Sequence, residues 1–281
     1  MMHAGTIFVP PVRRADPAVR KIFRRGMLSP MSDSFLSETV KINGHNGDEI
    51  EAYAVRVADP TPRGGVVVIH HMPGYDDRTK EIARWFGHLG YNAIVPNLYW
   101  RDAPGASPDD AAAAGRANGG VPDERLVGDV SGGMDFLKAL ENSNGKTGVI
   151  GYCSGGRQSV LAACNLPLDA AVDCYGAFVV GQVPEGFPLK VTPLYDVLPN
   201  LASPLLGLFG AEDQHPSPEQ VAELEGLLTE HGKTFDFHTY EGAGHAFFAV
   251  DRPAFRPEAA KDGWERITAF FGQHLSSAGA A

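Results

Sequence analysis

The chain has 281 residues, 43% of them hydrophobic, a length that suits one α/β domain with a large core. Its formal net charge of −10 argues against nucleic acid as a partner, whose footprint is a basic stripe. No apolar run approaches the ~18 residues of a membrane span, and three cysteines without CxxC spacing point to a reducing cytoplasm rather than a disulfide framework or a metal site.

Charge is uneven along the chain. Residues 1–31 carry six cations (Arg13, Arg14, Arg20, Lys21, Arg24, Arg25) against Asp16 alone, a balance of +5 that leaves −15 for residues 32–281. This stretch lacks the apolar segment of a secretory signal. It ends at Met31, followed by Ser-Asp-Ser, and reads as an extension of a single globular domain at 32–281.

Residues 37–42 and 49–57 alternate apolar and polar around Asn43-Gly44-His45-Asn46-Gly47, which predicts an antiparallel hairpin with one exposed face. The β-branched run Gly65–His70 predicts a strand buried on both faces. Ile82, Phe86 and Leu89 predict a helix over 78–89 closed by Gly90, and residues 92–96 another buried strand. Residues 102–120 are small, polar and Gly/Pro-punctuated, and read as a surface excursion or lid. A helix over 122–140 follows, then a strand at 146–151, a helix at 155–164 and a strand at 170–175. The chain closes with a strand at 205–209, a helix at 217–230, a strand at 234–240 and a helix at 257–275. Such alternation predicts a mostly parallel, doubly wound sheet with the hairpin at one edge.

An α/β sheet carries its chemistry just beyond the carboxyl ends of its parallel strands. After the 146–151 strand stands Cys153 in Gly151-Tyr-Cys-Ser-Gly155, the thiol form of a nucleophile elbow whose tight turn needs small flanking residues. The following helix presents its positive end to the sulfur. Ser154 is the poorer candidate, because Tyr152 and Gly156 would flank it and Tyr152 is large. After the 205–209 strand comes Gly-Ala-Glu-Asp213, and after 234–240 comes Glu-Gly-Ala-Gly-His245. The order nucleophile, acid, histidine is that of α/β-hydrolases, with His245 as the base and Asp213, ahead of Glu212 and Asp196, as the group orienting it. Oxyanion donors are expected at the Ser154 amide and in His71-Met72-Pro73-Gly74, where Pro73 has no N–H and Met72 is the natural choice.

The stretches VVVIHHMPGY, GYNAIVPNLYWRDAPG, GYCSGGR, FGAEDQ and YEGAGHAF, in this order across residues 36–275, resemble the dienelactone hydrolase (carboxymethylenebutenolidase) family. The resemblance implies a compact α/β-hydrolase fold, a triad of Cys153, His245 and Asp213, no cofactor, and hydrolysis of an activated lactone or ester through a thioester acyl-enzyme. The sequence departs from the family in two charged positions. Where dienelactone-acting members carry a glutamate after the third strand, this chain has His71, preceded by His70; a cationic His71 would stabilise a thiolate. Of the family's two substrate-gripping arginines, one matches Arg101, whereas the other position is Ala249, unless Arg78, Arg157 or Arg252 takes its place. Tyr75, Phe247 and Phe248 are candidate apolar lining. A small ester or lactone is the expected partner; a general carboxylesterase is the alternative, and a non-catalytic thiol sensor on the same scaffold a more distant one.

Overall fold

The structure, a computed structural model, describes residues 34–276. The basic segment 1–31 lies outside the described residues.

Eight strands form one sheet: β1 (Phe35–Asn43), β2 (Glu49–Val57), β3 (Arg63–Ile69), β4 (Asn92–Pro96), β5 (Ser143–Tyr152), β6 (Ala170–Cys174), β7 (Leu205–Gly210) and β8 (Phe235–Tyr240). Their order is β1-β2-β4-β3-β5-β6-β7-β8. The predicted hairpin is the edge pair β1–β2, and β2 also runs antiparallel to β4, with Tyr53 opposite Val95. Every pair from β4 to β8 is parallel.

Among the described residues there are six helices, α1 (Asp77–His88), α2 (Pro108–Ala117), α3 (Asp123–Lys138), α4 (Ser154–Asn165), α5 (Pro218–Glu230) and α6 (Pro257–Leu275), of which all but α2 cover the faces of the sheet. Alternation along the strands divides the core. Val67 and Ile69 belong to the core layer under α3 and α4 with Leu126, Val130 and Val160, a layer that continues to Leu224 and Leu228 of α5. Val66 and Val68 face α1 and α6 through Phe86, Ile267 and Phe271. Burial of both faces is why β3 reads as an uninterrupted Val/Ile run, each such side chain worth roughly 1.5–3 kcal/mol.

Local chemistry sets the element ends. Asp76 caps α1 by accepting from Thr79 N–H, and Gly90 turns the chain into β4 at φ +89°, which only glycine adopts without cost. Ser217 and Gln220 form a reciprocal capping box on α5.

The excursion at 102–120, for which no helix was predicted, contains α2 at 108–117. Ser107 caps it, Pro108 takes the first turn, and four consecutive alanines favour helix. Ala111 and Ala112 are buried beside Tyr99, and a Cβ on Gly115 would lie 2.5 Å from the Tyr99 ring. Among the described residues no helix is long and apolar enough to cross a membrane.

Candidate active site

The turn from β5 into α4 is one residue long. Cys153 occupies it at φ 58°, ψ −122°, a conformation costing a non-glycine residue on the order of 1–3 kcal/mol. It is held by Cys153 N–H donating to Cys174 C=O (3.0 Å) and by Gly156 N–H donating to Cys153 C=O (2.9 Å). Two glycines make room. A Cβ on Gly151 would sit 1.8 Å from Gly155 O, and one on Gly155 would sit 2.7 Å from Ile69 O. Cys153 is partly exposed, whereas Cys164 and Cys174 are buried.

The loops after β7 and β8 bring the other two predicted residues to the same place. Glu212 N–H donates to Ala243 C=O at 2.9 Å, which ties these loops together. Asp213 Oδ2 lies 2.8 Å from His245 Nδ1, and its Oδ1 accepts from His215 N–H at 2.9 Å. The Asp213 carboxylate is only 1% exposed. Glu212 and the exposed Asp196 make no bond to His245, so of the three candidate acids only Asp213 contacts it. Burial disfavours the imidazolium, but hydrogen bonds to Asp213 and Cys153 and their charges outweigh it and raise the His245 pKa to about 10.

Cys153, Ser154, Met72, Asp213 and His245 open on one cavity of about 410 Å³. Ser154 is the first residue of α4, whose opening N–H groups have no partner within the helix.

Four of the predicted positions lie elsewhere. His71 is buried outside the cavity, its Nε2 2.7 Å from Asp76 and its Nδ1 2.7 Å from Arg78 Nη2. The same Arg78 nitrogen lies 3.5 Å from Nε2, so the guanidinium and the Asp76 carboxylate together hold the ring. The position anticipated beside the thiol is thus engaged with Asp76 and Arg78 and does not line the cavity. Arg101 also points away from the cavity. It forms a two-pronged pair with Asp129 (2.8 and 2.9 Å), a carboxylate with no exposure, and a further bond to Asp48 (2.9 Å). Tyr75 and Phe247 belong to the core, Phe247 packed against Tyr175 and Tyr240.

The remaining wall draws in part on the 102–120 excursion, and its other part, in residues 178–191, was not anticipated. It comes from Gly119-Gly120-Val121 after α2 and from Phe178, Phe187, Leu189, Lys190 and Val191 in the long connection after β6. Lys190 N–H donates to Gly119 C=O at 2.7 Å and clips the two segments together. The available signal was a cluster of apolar residues in a proline-punctuated stretch without helical or strand periodicity. Arg157 also lines the cavity, but Asp123 binds it through two 2.9 Å contacts.

Residues 50–275 match the model of the dienelactone hydrolase family. A provisionally named carboxymethylenebutenolidase of Methylorubrum extorquens is 30% identical over 260 residues, covering 92% of this chain and 88% of that protein. A similarly named protein of Yersinia pestis is 32% identical over 83% of this chain and 86% of its own length. The crystal structure of a provisionally assigned dienelactone hydrolase from Klebsiella pneumoniae superimposes with a TM-score of 0.76 at 28% identity, over 86% of this chain and 100% of that one. With an α/β-hydrolase sheet, a strained elbow and matching relatives along nearly its whole described length, the chain belongs to the dienelactone hydrolase family of carboxylic ester hydrolases.

Proposed function

We propose that this hydrolase uses Cys153 as its nucleophile, on a small and largely apolar ester or lactone, through a thioester acyl-enzyme. The observation that carries this reading is the strained Cys153 turn facing a His245 that Asp213 orients. His245 keeps its Nδ1 proton toward Asp213 and shares the Nε2 proton with sulfur. The thiolate attacks the substrate carbonyl to form the C–S bond, and the oxyanion settles between the Met72 and Ser154 amides. Collapse breaks the C–O bond, and His245 delivers its Nε2 proton to the departing oxygen. Water then attacks the thioester while His245 takes its proton, and the returning thiolate completes the cycle.

The lining favours neutral substrates over anionic ones. Arg101 is committed to Asp129, and Arg157 to Asp123, which leaves Lys190 near the mouth as the lining cation with no side-chain partner among the described residues. Met72, Val121, Phe178, Phe187, Leu189 and Val191 offer apolar surface. This supports the reading as a general carboxylesterase with little dienelactone activity. An accessible thiol nucleophile also suits the reducing cytoplasm.

The test is steady-state hydrolysis of a dienelactone and of a neutral aryl acetate by the wild type and by Cys153→Ala. Both activities should vanish in the variant, with the aryl ester equal or better in the wild type. A lactone preference of about two decades in kcat/KM (~2.7 kcal/mol) would instead favour a dedicated dienelactone hydrolase. Wild-type rates in Cys153→Ala would remove the thiol from the mechanism.

A further inference from the structure

We infer that His70 is a positioning residue for the oxyanion hole: its buried imidazole fixes the peptide that aims the Met72 N–H into the cavity. The inference rests on the reading of Met72 N–H as an oxyanion donor.

The geometry begins with the His70 ring, which is 2% exposed. Its Nδ1 lies 2.9 Å from the carbonyl oxygen of His71, and its Nε2 lies 3.3 Å from Leu98 N–H. A carbonyl can only accept and a backbone N–H can only donate, so the proton is on Nδ1 and the lone pair on Nε2. Both contacts are satisfied by one neutral tautomer and by no other protonation state. The ring thereby joins the loop after β3 to the segment after β4.

The carbonyl it grips belongs to the His71–Met72 peptide. Gly74 N–H donates to the same oxygen at 2.9 Å. The only cis bond among the described residues is His215–Pro216, so the His71–Met72 peptide is trans. In a trans peptide the C=O and N–H point in opposite directions. Pinning the His71 oxygen from two sides therefore sets the direction of the Met72 N–H, and that N–H has no protein acceptor among the described residues. The next peptide is pinned as well, because Tyr99 Oη donates to Met72 C=O at 3.0 Å. Tyr99 packs on the His70 ring with centroids 4.8 Å apart. Two neighbouring aromatic side chains thus hold the carbonyls on either side of one free N–H.

Such a device matters because an oxyanion donor works only when it is already aimed, and removing one typically costs 10²–10³-fold in kcat. The hydrogen bond to the carbonyl also polarises the peptide and makes its N–H a better donor. Loosening the peptide should cost less than deleting the donor, and should act on kcat while leaving KM alone, because the charge it meets exists only in the transition state.

Three variants test this: His70→Leu, which removes both contacts; His70→Asn, whose amide N–H falls near the place of Nδ1; and His70→Gln, whose amide falls near Nε2. Hydrolysis of an aryl acetate gives kcat and KM, and iodoacetamide alkylation of Cys153 reports the thiol without needing an oxyanion hole. His70→Leu should lower kcat about 10–100-fold with KM within threefold and alkylation within twofold of wild type, and His70→Asn should exceed His70→Gln in kcat at least fivefold. A His70→Leu kcat within threefold of wild type would overturn the inference, as would kcat and alkylation falling together. If His70→Leu does not fold, the Asn/Gln pair decides, and equal or reversed rates overturn it. Failure of the nucleophile reading has its own signature, turnover retained in Cys153→Ala.

Discussion

Replacing Arg101 by methionine separates the two roles this residue could play. Its guanidinium gives Asp129 a countercharge through bonds of 2.8 and 2.9 Å, and the only other donor to that carboxylate among the described residues is His45 N–H at 2.9 Å. Asp129 has no exposed surface, and the Gly44 backbone closes over it so tightly that a Cβ there would lie 2.3 Å from Oδ1. Arg101→Met leaves this carboxylate buried and unpaired, a defect that costs about 3–5 kcal/mol. The Arg101 side chain is 18% exposed, so water can follow its removal, which places the expectation at about 3 kcal/mol. In a domain of this size that lowers the thermal midpoint by roughly 6–12 °C. Asp129→Asn should cost less, about 1–2 kcal/mol, because the arginine left behind retains Asp48 and solvent. Urea unfolding of both variants, with kcat and KM on an aryl acetate and on an anionic lactone, is the assay. The folded Arg101→Met protein should keep both kinetic constants within about twofold of wild type. An unchanged urea midpoint together with a KM on the anionic lactone raised about tenfold would refute the argument and restore Arg101 as a substrate anchor.

The raised pKa of His245 makes stability depend on pH in a defined direction. The folded value of about 10 exceeds the ordinary 6.5, so the imidazolium's contribution is complete below about pH 6.5 and is lost as pH rises through 10. The urea midpoint should fall between those limits, and fall less in Asp213→Asn; parallel pH profiles would show that Asp213 does not hold the proton. The same variant should lose at least ~100-fold in kcat/KM, because the amide no longer fixes the tautomer. Gly151→Ala meets backbone rather than a side chain, with its Cβ 1.8 Å from Gly155 O, and nothing there can rotate away. It should destabilise the protein by about 3 kcal/mol, at the upper end of overpacking effects, and abolish turnover. A stable and active Gly151→Ala would mean that the elbow is wider than described.

Most of the fold was written in periodicity. The Val/Ile run of β3 declares its environment, because a strand buried on both sides has no polar positions to spare, whereas the alternating hairpin marks β1 and β2 as strands but not the burial of four consecutive β2 residues, 52–55. The three positions proposed as a triad are marked by glycines at strand ends. Gly151 and Gly155 are required by contacts of 1.8 and 2.7 Å, and that requirement is what a Gly-x-Cys-x-Gly pattern encodes. Helix α2 was hidden because its flanks, Ala-Pro-Gly before and Asn-Gly-Gly after, look like loop. What makes it a helix is a Ser-Pro cap and the packing of its alanines on Tyr99.

The contacts of His71 and Arg101 differ from the sequence expectation for one physical reason. His71 and Arg101 occupy positions where the family resemblance implies a role beside the thiol or the substrate, but a side chain's direction is set by its partners, and the partners lie far off in sequence or on another element. Asp129 is 28 residues from Arg101 on α3, and no local pattern around Arg101 announces it. His71 is turned by Asp76 and Arg78, which sit at the start of α1 and serve as its cap and first turn. The same holds for the cavity wall, where Gly119 and Lys190 meet through one backbone hydrogen bond between segments 71 residues apart. The proposed catalytic positions are tied to the backbone turns that present them, which is why spacing singles them out. Substrate contacts depend on which long-range pairs have already claimed each charge, and here those pairs have taken both Arg101 and Arg157, leaving an apolar cavity where the family resemblance implies an anion clamp.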